Sequence, residues 1–128
     1  MSSFLRIIGL LLLLMEGGAL PSKAQTLLRS CAEIRALPRE IADRQLPVRI
    51  RGTVTFSDPG EFSSLTLQDG TAGIYVDRSF SRDHGLISPG TVWPDLLPAG
   101  TLIEVTGVTW GRHFAPVLCP SSIQVLGK

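Results

Sequence analysis

Phe62, Tyr75, Trp110, Arg112 and His113 are the residues of this 128-residue chain best suited to recognition chemistry. Flat aromatic rings stack on other planar groups, and a guanidinium beside them adds charge and cation–π attraction. Trp110, Arg112, His113 and Phe114 crowd into one short segment. A second set, Asp77, Asp83 and His84, carries metal-ligating groups. A divalent site needs three or more converging ligands, and this spacing matches no ligand pattern. Arg78 and Arg82 stand ready to pair with the same carboxylates. Catalytic patterns are missing: there is no Gly-x-Ser-x-Gly, no His-Glu-x-x-His and no phosphate loop. The chain therefore reads as a non-catalytic binding protein with no metal and no cofactor.

Such residues need a scaffold, and the stretch from Leu46 to Asp77 supplies its pattern. Apolar and polar residues alternate with period two, broken by short Gly, Asp and Ser clusters, as in a half-buried antiparallel meander. The first strand is expected over Pro47–Phe56, with Val48, Ile50, Val54 and Phe56 inward. Gly52 falls mid-strand, where a barrel needs a bend or bulge. Ser57-Asp58-Pro59-Gly60 is a turn, since proline presets φ and glycine accepts positive φ. The second strand covers Ser64–Gln68, and Asp69-Gly70 signals a hairpin into the third, Gly73–Asp77. Arg78 to Ala99 is read as a long loop with a helical turn around Trp93–Leu97. The fourth strand is Thr101–Trp110, where parity changes across Gly107 and predicts a bulge. The last strand is expected in two pieces, Ala115–Leu118 and Ile123–Leu126, split by Pro120. Ahead of these strands, Ser30 and Glu33 have capping-box spacing for a short helix broken at Pro38. The expected fold class is all-β: a small five-stranded barrel preceded by a short N-terminal helix.

The start of the chain carries its own message. A charged beginning through Arg6, an apolar run from Ile7 to Met15 and small residues at Ser22 and Ala24 form a secretory signal. The run is well short of the ~20 residues that span a bilayer. Cleavage is expected before Gln25, dividing the chain into a signal (1–24), a leader with the short helix (25–45) and the barrel (46–128). Removing Arg6 and Lys23 from 12 basic residues, and Glu16 from 11 acidic ones, leaves ten of each. A balanced charge argues against general nucleic-acid or anionic-membrane binding. Cys31 and Cys119 form an even pair that an exported chain can join as a disulfide or keep as two buried thiols.

Four segments come in a recognisable order: Leu46 to Phe56, Leu67 to Val76, Gly100 to Val108 and Phe114 to Leu118. Together they resemble the OB-fold-like extracytoplasmic domain at the N-terminus of some bacterial sensor histidine kinases. The resemblance spans about Ala32 to Gly127. It implies an OB-type barrel, a periplasmic or secreted location and a role in sensing or signalling. Nothing matches the kinase's phosphorylated histidine or ATP-binding segments, and His84 and His113 fall in predicted loops. The expectation is a monomeric, free-standing domain or the front of a longer sensor. OB-folds bind on the face of strands two and three and on two flanking loops. That places Thr66, Gln68, Tyr75 and Asp77 outward on the face, with Phe62 on one loop and Trp110, Arg112 and His113 on the other. Of the loop aromatics, Phe114 is expected to close an end of the barrel. The expected partner is an unknown small ligand or an extracytoplasmic protein. The alternative is a binder of single-stranded nucleic acid or oligosaccharide, and a domain serving only protein contacts is the third reading.

Overall fold

The computed structural model describes residues 26–58, 64–92, 94, 97–112 and 114–128. The proposed signal, residues 1–24, lies outside them, as do Phe62, Trp93 and His113. Two short helices, α1 (Cys31–Arg35) and α2 (Arg39–Ala42), lead into β1 (Pro47–Ser57). Then come β2 (Ser64–Gln68), β3 (Gly73–Asp77), α3 (Arg78–Asp83), β4 (Leu102–Gly111) and β5 (Pro116–Gly127). The five strands close into a barrel in the order β1-β2-β3-β5-β4, and this all-β fold is of OB type.

Alternation fills the barrel. Val48, Ile50 and Val54 of β1, Leu65 and Leu67 of β2, Ile74 and Val76 of β3, and Ile103 and Val105 of β4 are all buried. They join Ile34, Leu97, Leu118 and Ile123 in one core. Burying each such side chain contributes about 1.5–3 kcal/mol. Phe56, expected inward, is instead 60% exposed. The pairing of β1 with β2 slips between Val54 and Phe56, so Thr55 is an extra residue and Phe56 stands opposite Thr66. One inserted residue reverses the parity of every later position in the strand.

Two glycines let the barrel close. β1 pairs with β4 through Thr53 and with β2 from Thr53 onward, so Gly52 lies where the strand turns between neighbours. A Cβ at Gly52 would lie 2.7 Å from the Gln68 carbonyl oxygen. At Gly107 a Cβ would run into the Cys119 carbonyl and come within 2.8 Å of Pro120 Cα. The bulge expected at Gly107 is present, but the extra residue is Ser121 on β5: Thr106 pairs with Ser122 and Gly107 with Pro120. Parity in β4 therefore holds, and Thr109 rather than Trp110 points inward. The bulge also lets Pro120 sit inside one continuous strand where two pieces were expected.

Polar tethers fix the helices. Ser30 Oγ accepts from the Glu33 N–H at 3.2 Å, the serine arm of the expected capping box, while the Glu33 carboxylate accepts from the Ser30 hydroxyl at 2.9 Å and the Arg29 N–H at 3.4 Å. The β2–β3 hairpin completes the cap: Cys31 N–H donates to Asp69 Oδ2 at 2.9 Å and Ala32 N–H to Thr71 Oγ1 at 3.0 Å. Thr109, fully buried, donates to the Ala42 carbonyl at 2.7 Å and accepts from Leu46 N–H at 3.0 Å. The connection after β3, expected to be mostly loop, begins with α3, capped by Asp77. Cys31 and Cys119 are free, buried thiols rather than a disulfide. Burial pushes the Cys31 thiol up to about 11, with Asp69 adding to the effect. Burial, then the Asp77 charge, pushes Cys119 up to about 12.

Candidate functional site

The outer face of β2 and β3 carries a shallow groove. It joins a hollow of about 450 Å³, lined by Arg35, Thr55, Thr66 and residues 73–75 and 115–117, to one of about 320 Å³ reaching Arg112 and Phe114. Tyr75, Ala115 and Val117 belong to both.

Each side chain arrives by a traceable route. Thr66 pairs in register with Tyr75 on one side and Phe56 on the other, so all three cross the same face. Thr55 lies on that face by alternation, and its hydroxyl meets the Thr66 hydroxyl at 2.6 Å, while the bulge turns Phe56 out beside it. Gly111 ends β4 with its N–H donating to Asp43 Oδ1 at 3.0 Å, which anchors the start of the β4–β5 loop. From that loop the Arg112 guanidinium lies 5.5 Å from the centre of the Tyr75 ring, a cation–π distance. Its Nη1 also lies 3.3 Å from Asp77 Oδ2. Arg35 comes from the end of α1, and its Nη1 donates to the Gly73 carbonyl at 3.2 Å.

Among the expected site residues, Thr66, Tyr75 and Arg112 come together here. Gln68 is exposed, as expected, but lines a neighbouring hollow with Gly52, Thr53, Asp69 and Gly70 that shares Thr55 with the groove. Asp77, expected outward, is 5% exposed. Its Oδ1 accepts from Phe80 N–H at 2.9 Å and from the Ser79 hydroxyl at 2.9 Å, so the start of α3 draws it inward. Trp110 packs its ring 4.8 Å from Phe80, away from the groove lining. Phe114, expected to close the barrel, is fully exposed at 103%. Phe62 and His113 fall outside the described residues.

The metal-ligating set diverges. Asp77 caps α3, Asp83 sits 3.7 Å from Arg82, and the His84 ring stacks on Phe80 at 3.9 Å. Among the described residues no three His, Cys, Asp or Glu side chains gather around one point. A second polar hollow lies on the β1–β4 side, where Arg29, Arg49 and Arg51 surround Glu104. Arg51 reaches that carboxylate at 2.7 Å and Arg49 at 3.8 Å, and hydrogen bonding to Arg51 leads the pull on its pKa below the usual carboxylate range. This is a cross-strand ion-pair network, since Arg51 and Glu104 are register partners.

No protein-family model matches the chain. No curated protein matches it. Among solved structures it is similar to the hypothetical protein ygiW from E. coli, with 18% identity over 83% of this chain and 94% of that one and a TM-score of 0.48. No helix among the described residues is long and apolar enough to cross a membrane.

Sequence reasoning missed Arg35, Thr55 and residues 115–117. Arg35 reaches the groove only because the hairpin caps α1, and no local pattern signals that. Strict alternation sets Thr55 outward, where it lies, without marking it as part of a groove, and sets Phe56 inward, which the bulge reverses.

Proposed function

We propose that this chain is a non-catalytic recognition module whose ligand or partner meets the outer face of β2 and β3. The groove carries the reading: a threonine pair, a half-buried tyrosine, two arginines and an exposed phenylalanine border one continuous depression. OB barrels use this face and the loop before the last strand for binding. Tyr and Arg together are what recognition surfaces favour. Among its described lining residues the groove offers threonine hydroxyls, a phenol and guanidiniums, groups suited to hydrogen bonding and stacking.

We further propose that the module works outside the cytoplasm, in sensing or signalling. The charged, apolar and small-residue order of residues 1–24 supports export, and the strand order of the sequence resembles extracytoplasmic sensor domains. The Arg112–Tyr75 stack gives the second reading, a binder of single-stranded nucleic acid or oligosaccharide, one specific support.

Amide chemical-shift mapping against a small-molecule fragment library tests the reading. Shifts clustered at Thr55, Thr66, Tyr75 and Val117 are expected. Binding that perturbs only α2 and the β1–β4 wall would sink it. Retention on single-stranded DNA at low salt, lost on Tyr75→Ala, would favour the second reading. An intact mass beginning at Gln25 after expression in a bacterial host is the expected sign of export.

A further inference from the structure

Resting on the groove as the binding face, we propose that its occupant is an extended acidic segment of a partner protein, anchored by an apolar side chain. Three observations point this way. The depression is shallow and continuous across the sheet, so it suits a chain laid along it. Phe114 is fully exposed beside it and Phe56 is 60% exposed on the same row as Thr66 and Tyr75. Large aromatics left in water on a face with a tyrosine and arginines mark protein contacts. The third observation is charge: the described lining contains Arg35 and Arg112 and no carboxylate.

Arg35 differs from the arginines on the β1–β4 wall. There Arg51 and Arg49 meet Glu104 at 2.7 and 3.8 Å, and Asp69 lines the same hollow. Arg35 is held by the Gly73 backbone carbonyl, which fixes its direction without neutralising its charge. Arg112 is anchored by Asp77, but the carboxylate is buried while half of the arginine side chain is exposed. The groove therefore presents cationic groups around an apolar floor of Tyr75, Val117 and Pro116. Carboxylates along a bound segment would meet Arg35 and Arg112, with the apolar anchor against Tyr75 and Phe114.

Selection of a random twelve-residue peptide library on the immobilised chain provides the test. Enriched peptides are expected to combine several acidic residues with one or two large apolar ones. Their affinity should fall roughly 3–10-fold from 50 to 500 mM NaCl, since exposed charge pairs are screened. Arg35→Gln, an exposed site that leaves the core untouched, should weaken them by about the same factor, and Tyr75→Ala should weaken them further. Basic or uncharged consensus peptides, salt-independent binding, or no enrichment would overturn the acidic-segment inference. In those cases, peptides or fragments still lost on Tyr75→Ala would leave the groove as the binding face. Peptides indifferent to Tyr75→Ala and Arg35→Gln alike would overturn both.

Discussion

The two sides of this barrel are built to different standards. β4 pairs with β5 over ten register positions and with β1 over seven, whereas β3 meets β5 at the single pair Val76 and Leu118. The β1–β4–β5 side has a glycine under backbone at Gly107, a buried hydroxyl bridge at Thr109, and an ion-pair network on its surface. The β2–β3 side ends in a shallow groove with aromatics in solvent. Long ladders and close backbone approach leave little freedom to change shape, while a short seam bordered by loops leaves surface for a partner. On the proposed reading, stability rests on the β1–β4–β5 ladders and recognition on the outer face around β2 and β3, which borrows Thr55 from β1 and Val117 from β5.

The sharpest way to break this division is at Gly107. Its missing Cβ is where β5 crosses, and both neighbours, the Cys119 carbonyl and Pro120 Cα, are backbone atoms that cannot rotate aside. Gly107→Val should destabilise the fold by about 3 kcal/mol or more, enough to prevent folding of a small domain. Urea unfolding read by circular dichroism checks it. A near-native midpoint would mean that the two strands can separate, and that the packed side is no stiffer than the open one.

Thr109 comes next. Its hydroxyl serves both the Ala42 carbonyl and the Leu46 N–H, so it joins α2 to the start of β1 from within β4. Thr109→Val keeps the shape but takes the partner from the Leu46 N–H and leaves the Ala42 carbonyl with the Gln45 N–H alone, at a cost of about 1–3 kcal/mol. Asp69 offers a pH handle on the opposite side. Partial burial alone would raise its pKa, but hydrogen bonds from the Thr71 hydroxyl and from the Cys31, Thr71 and Ala72 amides outweigh it and bring the carboxyl to about 2. The folded value lies below the unfolded 3.8, so the contribution is complete above about pH 4 and is lost as pH falls toward 2. Asp69→Asn should flatten that part of the acid-unfolding curve, and an unchanged curve would remove Asp69 as the link between α1 and the hairpin.

Period-two alternation was enough to place the five strands and most of the core, because a one-residue slip would expose every apolar residue at once. Alternation failed at Phe56, where a bulge intervened in β1, and it held through β4, where the parity change expected across Gly107 does not occur because the extra residue is on β5. It also gave no sign of α3, whose Arg78-Ser79-Phe80-Ser81 start has little helical periodicity and forms because Asp77 caps it. The site was legible as a face, through Thr66, Tyr75 and Arg112, but not as a groove. Arg35 comes from a helix 40 residues before Tyr75 in sequence, and Asp77 turned inward for a cap that strand parity cannot foresee. Cysteine count left the disulfide open, and only packing separates the thiols. Both thiols should resist iodoacetamide at pH 8 in the native chain, because protonated sulfur is a poor nucleophile. Two adducts should form in urea without reductant, whereas none would indicate a disulfide.

The smallest expected effect sharpens the comparison most. Phe114 is fully exposed and Phe56 is 60% exposed, so neither supports the core. Phe114→Ser and Phe56→Thr should each change stability by no more than about 0.5 kcal/mol, the range of surface substitutions away from structural contacts. A loss above about 1 kcal/mol at Phe114 would mean that the ring packs down in solution, and the open side would then be part of the scaffold. If both substitutions leave the unfolding midpoint unchanged yet weaken binding at Tyr75, the aromatics on this face contribute to recognition and not to the fold. That outcome separates the roles of the two sides by measurement, since a residue that stabilises nothing but is needed for binding belongs to the interface alone.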